Sequence, residues 1–194
     1  MIRVFLIFSL SVTFFGACDV QRKSFSRDSA RPATEGFLLQ EGKALTAQPP
    51  LVFAVAKEVP GNMAAACERA ALTLNKAAGR NLIQWESSRS RPFRIRYFSN
   101  ANLAASHQAS TELTTFGSFI VGAEIQIDQT RYVYSESPTG SEVDSESLCL
   151  HELGHALGLD HSPNENSFMY STLKGAQIRR ALSDSDIKVL KSVY

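Results

Sequence analysis

The pattern of apolar and polar positions divides the chain near residue 48. Ahead of that point, Val4 to Phe15 is one continuous apolar run, and Asp19 to Gln48 is polar without sustained periodicity. Beyond the Pro49-Pro50 pair, the periodicities of regular structure begin. Leu51 to Ala56 is a short apolar run of strand character, closed by a turn at Pro60-Gly61. From Asn62, placed to cap a helix, alanine, leucine and cysteine recur at helical spacing through Lys76, and Gly79 ends the helix. Phe93 to Phe98 alternates polar and apolar side chains, as a half-buried strand does. Ser118 to Val121 and Ala123 to Asp128 are predicted as further strands, with Gly122 a break or bulge, and Tyr132 to Tyr134 adds a short one. Ser145 opens a second helix; Ser183 and Asp186 cap a last helix that runs to about Ser192. This order predicts an α+β domain over residues 49–194, a twisted sheet packed on two helices.

The N-terminal run changes the picture of where the chain works. Arg3 supplies a small basic region, and the apolar stretch is too short to cross a bilayer comfortably. Phe15-Gly16-Ala17-Cys18 resembles a bacterial lipobox. Residues 1–17 are therefore expected as a leader cleaved before Cys18, whose lipid makes the membrane a partner. Residues 18–48 are expected as a tether or short pro-segment. Ordinary secretory cleavage nearby is the alternative. Both predict export: to the cell envelope, at the periplasmic face or cell surface, or otherwise by secretion. In such an oxidising compartment Cys67 and Cys149 form one disulfide or remain two buried thiols, and the sequence leaves both open.

Composition adds exclusions. A net charge of +1 with 20% charged residues offers no basic field for nucleic acid and no acidic bias toward disorder. Four arginines between Arg89 and Arg96, alternating partly with Phe93 and Ile95, are expected on a solvated strand face. With 194 residues, one domain with a real core is expected, as a monomer.

The densest chemistry lies at residues 151–161, His-Glu-Leu-Gly-His-Ala-Leu-Gly-Leu-Asp-His, which hold three of the four histidines. His151 and His155 are one helical turn apart and share a face, so two imidazoles can converge on one metal ion. Gly158 can enter a left-handed turn without steric cost and bring His161 in as a third ligand. Three nitrogens leave a tetrahedral zinc one open position, the mark of a catalytic ion. Glu152 neighbours a ligand but lies about 100° round the helix, where a carboxylate suits a general base. His107, in a polar loop upstream, is expected to be solvent-exposed.

This segment resembles the zinc signature of the metzincin metallopeptidases, which a methionine-containing turn follows. Met169 stands eight residues after His161, and Ser162 and Tyr170 are similar to the matrixin branch. The resemblance implies a metzincin-like mixed sheet on two long helices, with a Met-turn and final helix. It further implies one catalytic Zn2+ on His151, His155 and His161, with Glu152 as general base of an endopeptidase and Met169 as an apolar floor beneath the ligands. A protein or peptide substrate would lie extended along an edge strand, here expected from Leu113 to Val121. Ser171 replaces the family's proline after Met169-Tyr170, so the specificity pocket is expected to differ. Neither a second structural zinc site nor a Pro-Arg-Cys-Gly-like switch is expected; calcium stays an open candidate that no motif supports. The competing class is a non-catalytic envelope lipoprotein whose zinc is structural or vestigial and serves binding.

Overall fold

The computed structural model describes residues 17–25, 50–86, 93–98, 103, 107–116 and 119–194. The predicted leader up to Gly16, most of the 18–48 segment, Arg89, Arg91 and Ser118 lie outside the described residues.

The core is one six-stranded mixed sheet in the order β1-β5-β6-β4-β2-β3. Its members are β1 (Ala17–Phe25), β2 (Leu51–Val55), β3 (Ile83–Trp85), β4 (Phe93–Phe98), β5 (His107–Phe116) and β6 (Phe119–Asp128). All neighbours run parallel except the β5–β6 hairpin. Its register slips between Thr114 and Thr115, a bulge next to the position where Gly122 predicted one. A second, two-stranded sheet pairs β7 (Tyr134–Ser135) with β8 (Val143–Asp144).

Helix α1 (Gly61–Ala78) buries Met63, Ala66, Cys67, Ala70, Ala71 and Leu74, the i, i+3, i+4 stripe that the sequence spacing dictates. It begins one residue before Asn62, from Pro60, and no side chain caps it. The proline fixes the entry geometry, so the expected Asn62 cap is absent. Gly79 closes the helix in the left-handed region, φ 72°. Asn75, near that end, accepts from the backbone N–H groups of Leu82 and Ile83 and donates to the Ile83 carbonyl. One side chain thereby sets the start of β3, a strand that hydropathy does not reveal.

Helix α2 (Ser145–Ala156) is buried along its whole length. It opens at Ser145 as expected, and Asp144 caps it, accepting from Ser147 N at 2.8 Å. Burial alone would raise the Asp144 carboxyl, but hydrogen bonds from Arg180 and Ser147, with the Arg180 charge, hold it below the usual carboxylate range. Arg69 of α1 binds Glu146 at 2.8 Å, which satisfies the second acid in the α2 first turn. The open question of the cysteines is settled by a disulfide, Cys67–Cys149, which joins α1 to α2 with the Cα atoms 4.9 Å apart. The final helix α3 (Asp184–Val193) carries the expected capping box of Ser183 and Asp186. Among the described residues no helix is long and apolar enough to cross a membrane.

Two expectations about β5 need correction. His107 opens this strand and is half-buried rather than exposed in a loop. The strand begins well before Leu113, and Phe119–Val121 belongs to β6, an interior strand. Polar composition hid the start: Gln108, Ser110 and Thr111 are buried, so this stretch shows no apolar alternation.

Candidate metal centre

Helix α2 presents His151 and His155 on one face. Their Nε2 atoms lie 3.0 Å apart. Two carbonyls fix the rings: Nδ1 of His151 donates to Phe168 O at 2.9 Å, and Nδ1 of His155 donates to Leu159 O at 2.8 Å. A carbonyl only accepts, so each Nδ1 carries the proton and each Nε2 keeps a lone pair. Burial keeps both rings neutral. It pushes His151 down to about 3 and His155 well below its ordinary value, the neighbouring imidazoles adding to the effect.

The chain reaches the third histidine by a turn encoded in the motif. Gly158 adopts φ 84°, in the left-handed region that a side chain disfavours. Its N–H bonds His155 O at 2.8 Å, and Leu159 N bonds Gly154 O at 3.0 Å. The reversal carries His161 back so that one ligand atom from each histidine lies within 4.8 Å of the others. Nε2 of His161 is shielded from solvent.

This donor set fits a cation. Two buried lone pairs 3.0 Å apart repel one another when neither nitrogen can donate, and a divalent ion between them removes that conflict. Three neutral imidazoles and an open position suit zinc.

Glu152 is fully buried, and Thr111 of β5 donates to its Oε2 at 2.5 Å. The same hydroxyl lies 3.3 Å from the Glu152 carbonyl. Sheet and zinc-motif helix are thus joined at the carboxylate. Sequence reasoning missed Thr111, because a threonine in a polar stretch carries no distinguishing signal.

Met169 is completely buried against Gly154 of the same helix that carries His151 and His155. A Cβ at Gly154 would stand 2.3 Å from Met169 Sδ and 2.8 Å from Phe168 Cε2. Glycine inside a helix costs about 1 kcal/mol relative to alanine, and that cost was the readable sign of a close approach. The turn itself is held from α3. Asp186 accepts from Ser167 Oγ at 2.7 Å and from Phe168 N at 3.3 Å while completing its own capping box. The α3 cap therefore orients Phe168, whose carbonyl orients His151. Ser162 N bonds Met169 O at 2.9 Å and ties the His161 segment to the same turn.

Three of the four predicted site residues, His151, His155 and His161, thus come together, and Glu152 lies on the helix of the first two with its carboxylate bound to Thr111. The fold and the trio of histidines are those of the metzincin class, with a cluster that could hold one metal ion. The matrixin family profile matches residues 83–194, well over half of the chain, and the chain belongs to the matrixin family. It is similar to metalloendoproteinase 4-MMP of Arabidopsis thaliana, 38% identical over 61 residues that cover 31% of this chain and 18% of the relative. It is also similar to 2-MMP of the same plant, 40% identical over 52 residues covering 27% and 14%. Metalloendoproteinase 1 of Glycine max is 35% identical over 60 residues, covering 31% and 20%. The aligned stretches span at most a fifth of these relatives' lengths.

Proposed function

We propose that this chain is a zinc-dependent endopeptidase in which His151, His155 and His161 hold the ion and Glu152 is the general base. The observation that carries this reading is the convergence of two unprotonated Nε2 atoms on a helix that also holds a buried, hydrogen-bonded carboxylate. Zinc held by three neutral imidazoles supplies a Lewis acid that acidifies water and polarises a substrate carbonyl. Glu152 takes the proton of the attacking water on its carboxylate and later delivers it to the departing amine. Thr111 holds that carboxylate in one orientation, so no rotamer search is needed at the proton-transfer step. Phe168 O and Leu159 O lock the ligand tautomers and raise their basicity.

The substrate is an exposed protein chain that binds extended along the side of β5 away from β6, which becomes an edge only when β1 is withdrawn. Strand β1 pairs in parallel with that edge, from Ala17 beside His107 to Phe25 beside Phe116. This supports reading the 18–48 segment as a pro-segment: a substrate strand on β5 needs the place that β1 takes. Residues 1–17 act as a lipoprotein-type leader, and Cys18 anchors the exported product at the cell envelope. The Cys67–Cys149 bridge agrees with an oxidising compartment.

Hydrolysis of a denatured general protein substrate tests the reading. Glu152→Gln should lose at least about a hundredfold in rate and keep the metal content of the unsubstituted protein. Equal cleavage by both would exclude Glu152 as the base. A zinc-loaded protein that cleaves nothing would favour the structural or vestigial site.

A further inference from the structure

A groove leads away from His151 between the first turn of α2 and the segment after the Met-turn. Leu148, Phe168 and Leu173 give it apolar walls, and Ser147, Ser171 and Arg179 add polar ones.

Arg179 stands out by its partners. Its guanidinium donates from Nη1 and Nη2 to Thr172 O, 3.3 Å each, and from Nη1 to Tyr170 O at 3.5 Å. Its Cζ lies 5.5 Å from the centroid of the Tyr170 ring. Its backbone N–H donates to Ser147 Oγ at 2.6 Å, which fixes its place against α2. Every one of these partners is neutral.

Other arginines nearby are treated differently. Arg180 lies on the buried Asp144 carboxylate, and Arg69 on Glu136 and Glu146. Among the described residues, no carboxylate lies within ion-pair distance of Arg179. Asp186 and Glu165 act on it only from farther away, and Asp186 is committed to Ser167, Phe168 and Ser183. Burial pushes the Arg179 pKa down, while a guanidinium remains charged at any working pH. The three contacts use both Nη1 hydrogens and one on Nη2. The Nε hydrogen and the other Nη2 hydrogen share one edge of the fork, the edge that grips a carboxylate bidentately. A partly dehydrated cation with neutral partners gains most from an anion brought in from outside.

We propose that Arg179 makes this groove a seat for a substrate carboxylate, either an aspartate or glutamate side chain or a chain terminus, at one fixed position relative to the scissile bond. The inference rests on the peptidase reading above and names its substrate class. Carbonyl contacts alone would make Arg179 a staple for the Tyr170–Thr172 segment, and a staple confers no preference between acidic and apolar peptides.

The test begins with profiling of cleaved peptides, which locates the position. Matched peptides with blocked ends then carry Glu, Gln or Leu there, and a fourth ends there in a free carboxylate. For the unsubstituted protein, the Glu or free-end peptide should exceed the Leu peptide in kcat/KM by about tenfold or more. The two arms tell a side-chain source from a terminal one. Arg179→Leu should reverse the order, and Arg179→Lys should keep part of it. A Leu preference in the unsubstituted protein would overturn the proposal, as would an Arg179→Leu protein that slows on all peptides equally. If Arg179→Leu does not fold, the unsubstituted ratio and Arg179→Lys decide. Calorimetric binding to zinc-loaded Glu152→Ala, of a peptide set that carries Glu, Gln or Leu at each position in turn or ends in a free carboxylate, separates the two readings, because it needs no hydrolysis. Tighter binding of the carboxylate peptide without cleavage by the unsubstituted protein would sink the peptidase reading alone. Indifferent binding would sink the carboxylate seat.

Discussion

Thr111 and Glu152 are 41 residues apart in sequence, yet the hydroxyl of one donates to the carboxylate of the other at 2.5 Å in a fully buried setting. The bond fixes which way the Glu152 carboxylate points, and it links β5 to the helix that carries His151 and His155. Thr111→Val keeps the shape and removes the donor. We expect kcat to fall about tenfold, the effect of losing one buried hydrogen bond of about 1–2 kcal/mol. Zinc content should be unchanged. Steady-state kinetics with metal analysis checks this; an unaltered kcat would remove Thr111 from the account.

Gly154 occupies a position where the fold tolerates no side chain. Gly154→Ala forces a Cβ into Met169 and Phe168, both completely enclosed. Overpacking of this kind costs about 1–3 kcal/mol, and here it displaces the carbonyl that orients His151. Thermal unfolding should show the loss, and competition with a chelator should show weaker zinc retention. A variant with lower melting temperature and unchanged zinc affinity would mean that the Met-turn supports the fold but not the ligands.

Acid should destabilise the metal-free protein. An imidazole in the unfolded chain titrates near 6.5, whereas burial holds His151 at about 3 in the folded state. Between these values the unfolded chain binds more protons, so stability rises with pH across the window. The contribution is complete above about pH 6.5 and is lost progressively as pH falls toward 3. Because zinc needs the same neutral nitrogens, which the folded state keeps down to about 3, bound metal should leave only toward the lower end of that range. Melting temperatures of the metal-free protein at several pH values test the sign. A melting temperature that holds steady or climbs on acidification through the window would contradict it.

The strand on the β5 edge makes a prediction with its own control. In an edge strand, alternate residues turn their backbone groups toward the neighbour and toward solvent. Val20 and Gln21 are adjacent in β1, so only one of them faces β5. Proline at that position removes a backbone donor and loosens the pairing, while proline at the other leaves it. If β1 competes with substrate, one of Val20→Pro and Gln21→Pro should raise kcat/KM several-fold and the other should not. Equal activity in both would mean that β1 does not obstruct the cleft.

What could be seen in the sequence follows from how local each determinant is. The α1 stripe, the Gly79 terminator, the alternation of β4 and the Ser183–Asp186 box are each written within a few residues, and all were legible. The convergence of the three histidines was legible for the same reason, since a helix and a glycine turn connect them over eleven residues. The start of β5 was hidden because its buried positions hold Gln, Ser and Thr. Strand β3 owes its place to Asn75 rather than to its own hydropathy. Thr111, Asp186 and Arg179 reach the site only through tertiary packing from three different segments, so no spacing rule could have assembled them.

Elemental analysis of purified protein after zinc loading and desalting tests the central claim most directly. The account predicts about one zinc per chain, no more than a small residue in His155→Ala, and full retention in Glu152→Gln, which removes the base but no ligand. Zinc-free protein under every loading condition, or equal zinc in His155→Ala and the unsubstituted chain, would contradict the proposed metal centre and the chemistry built on it.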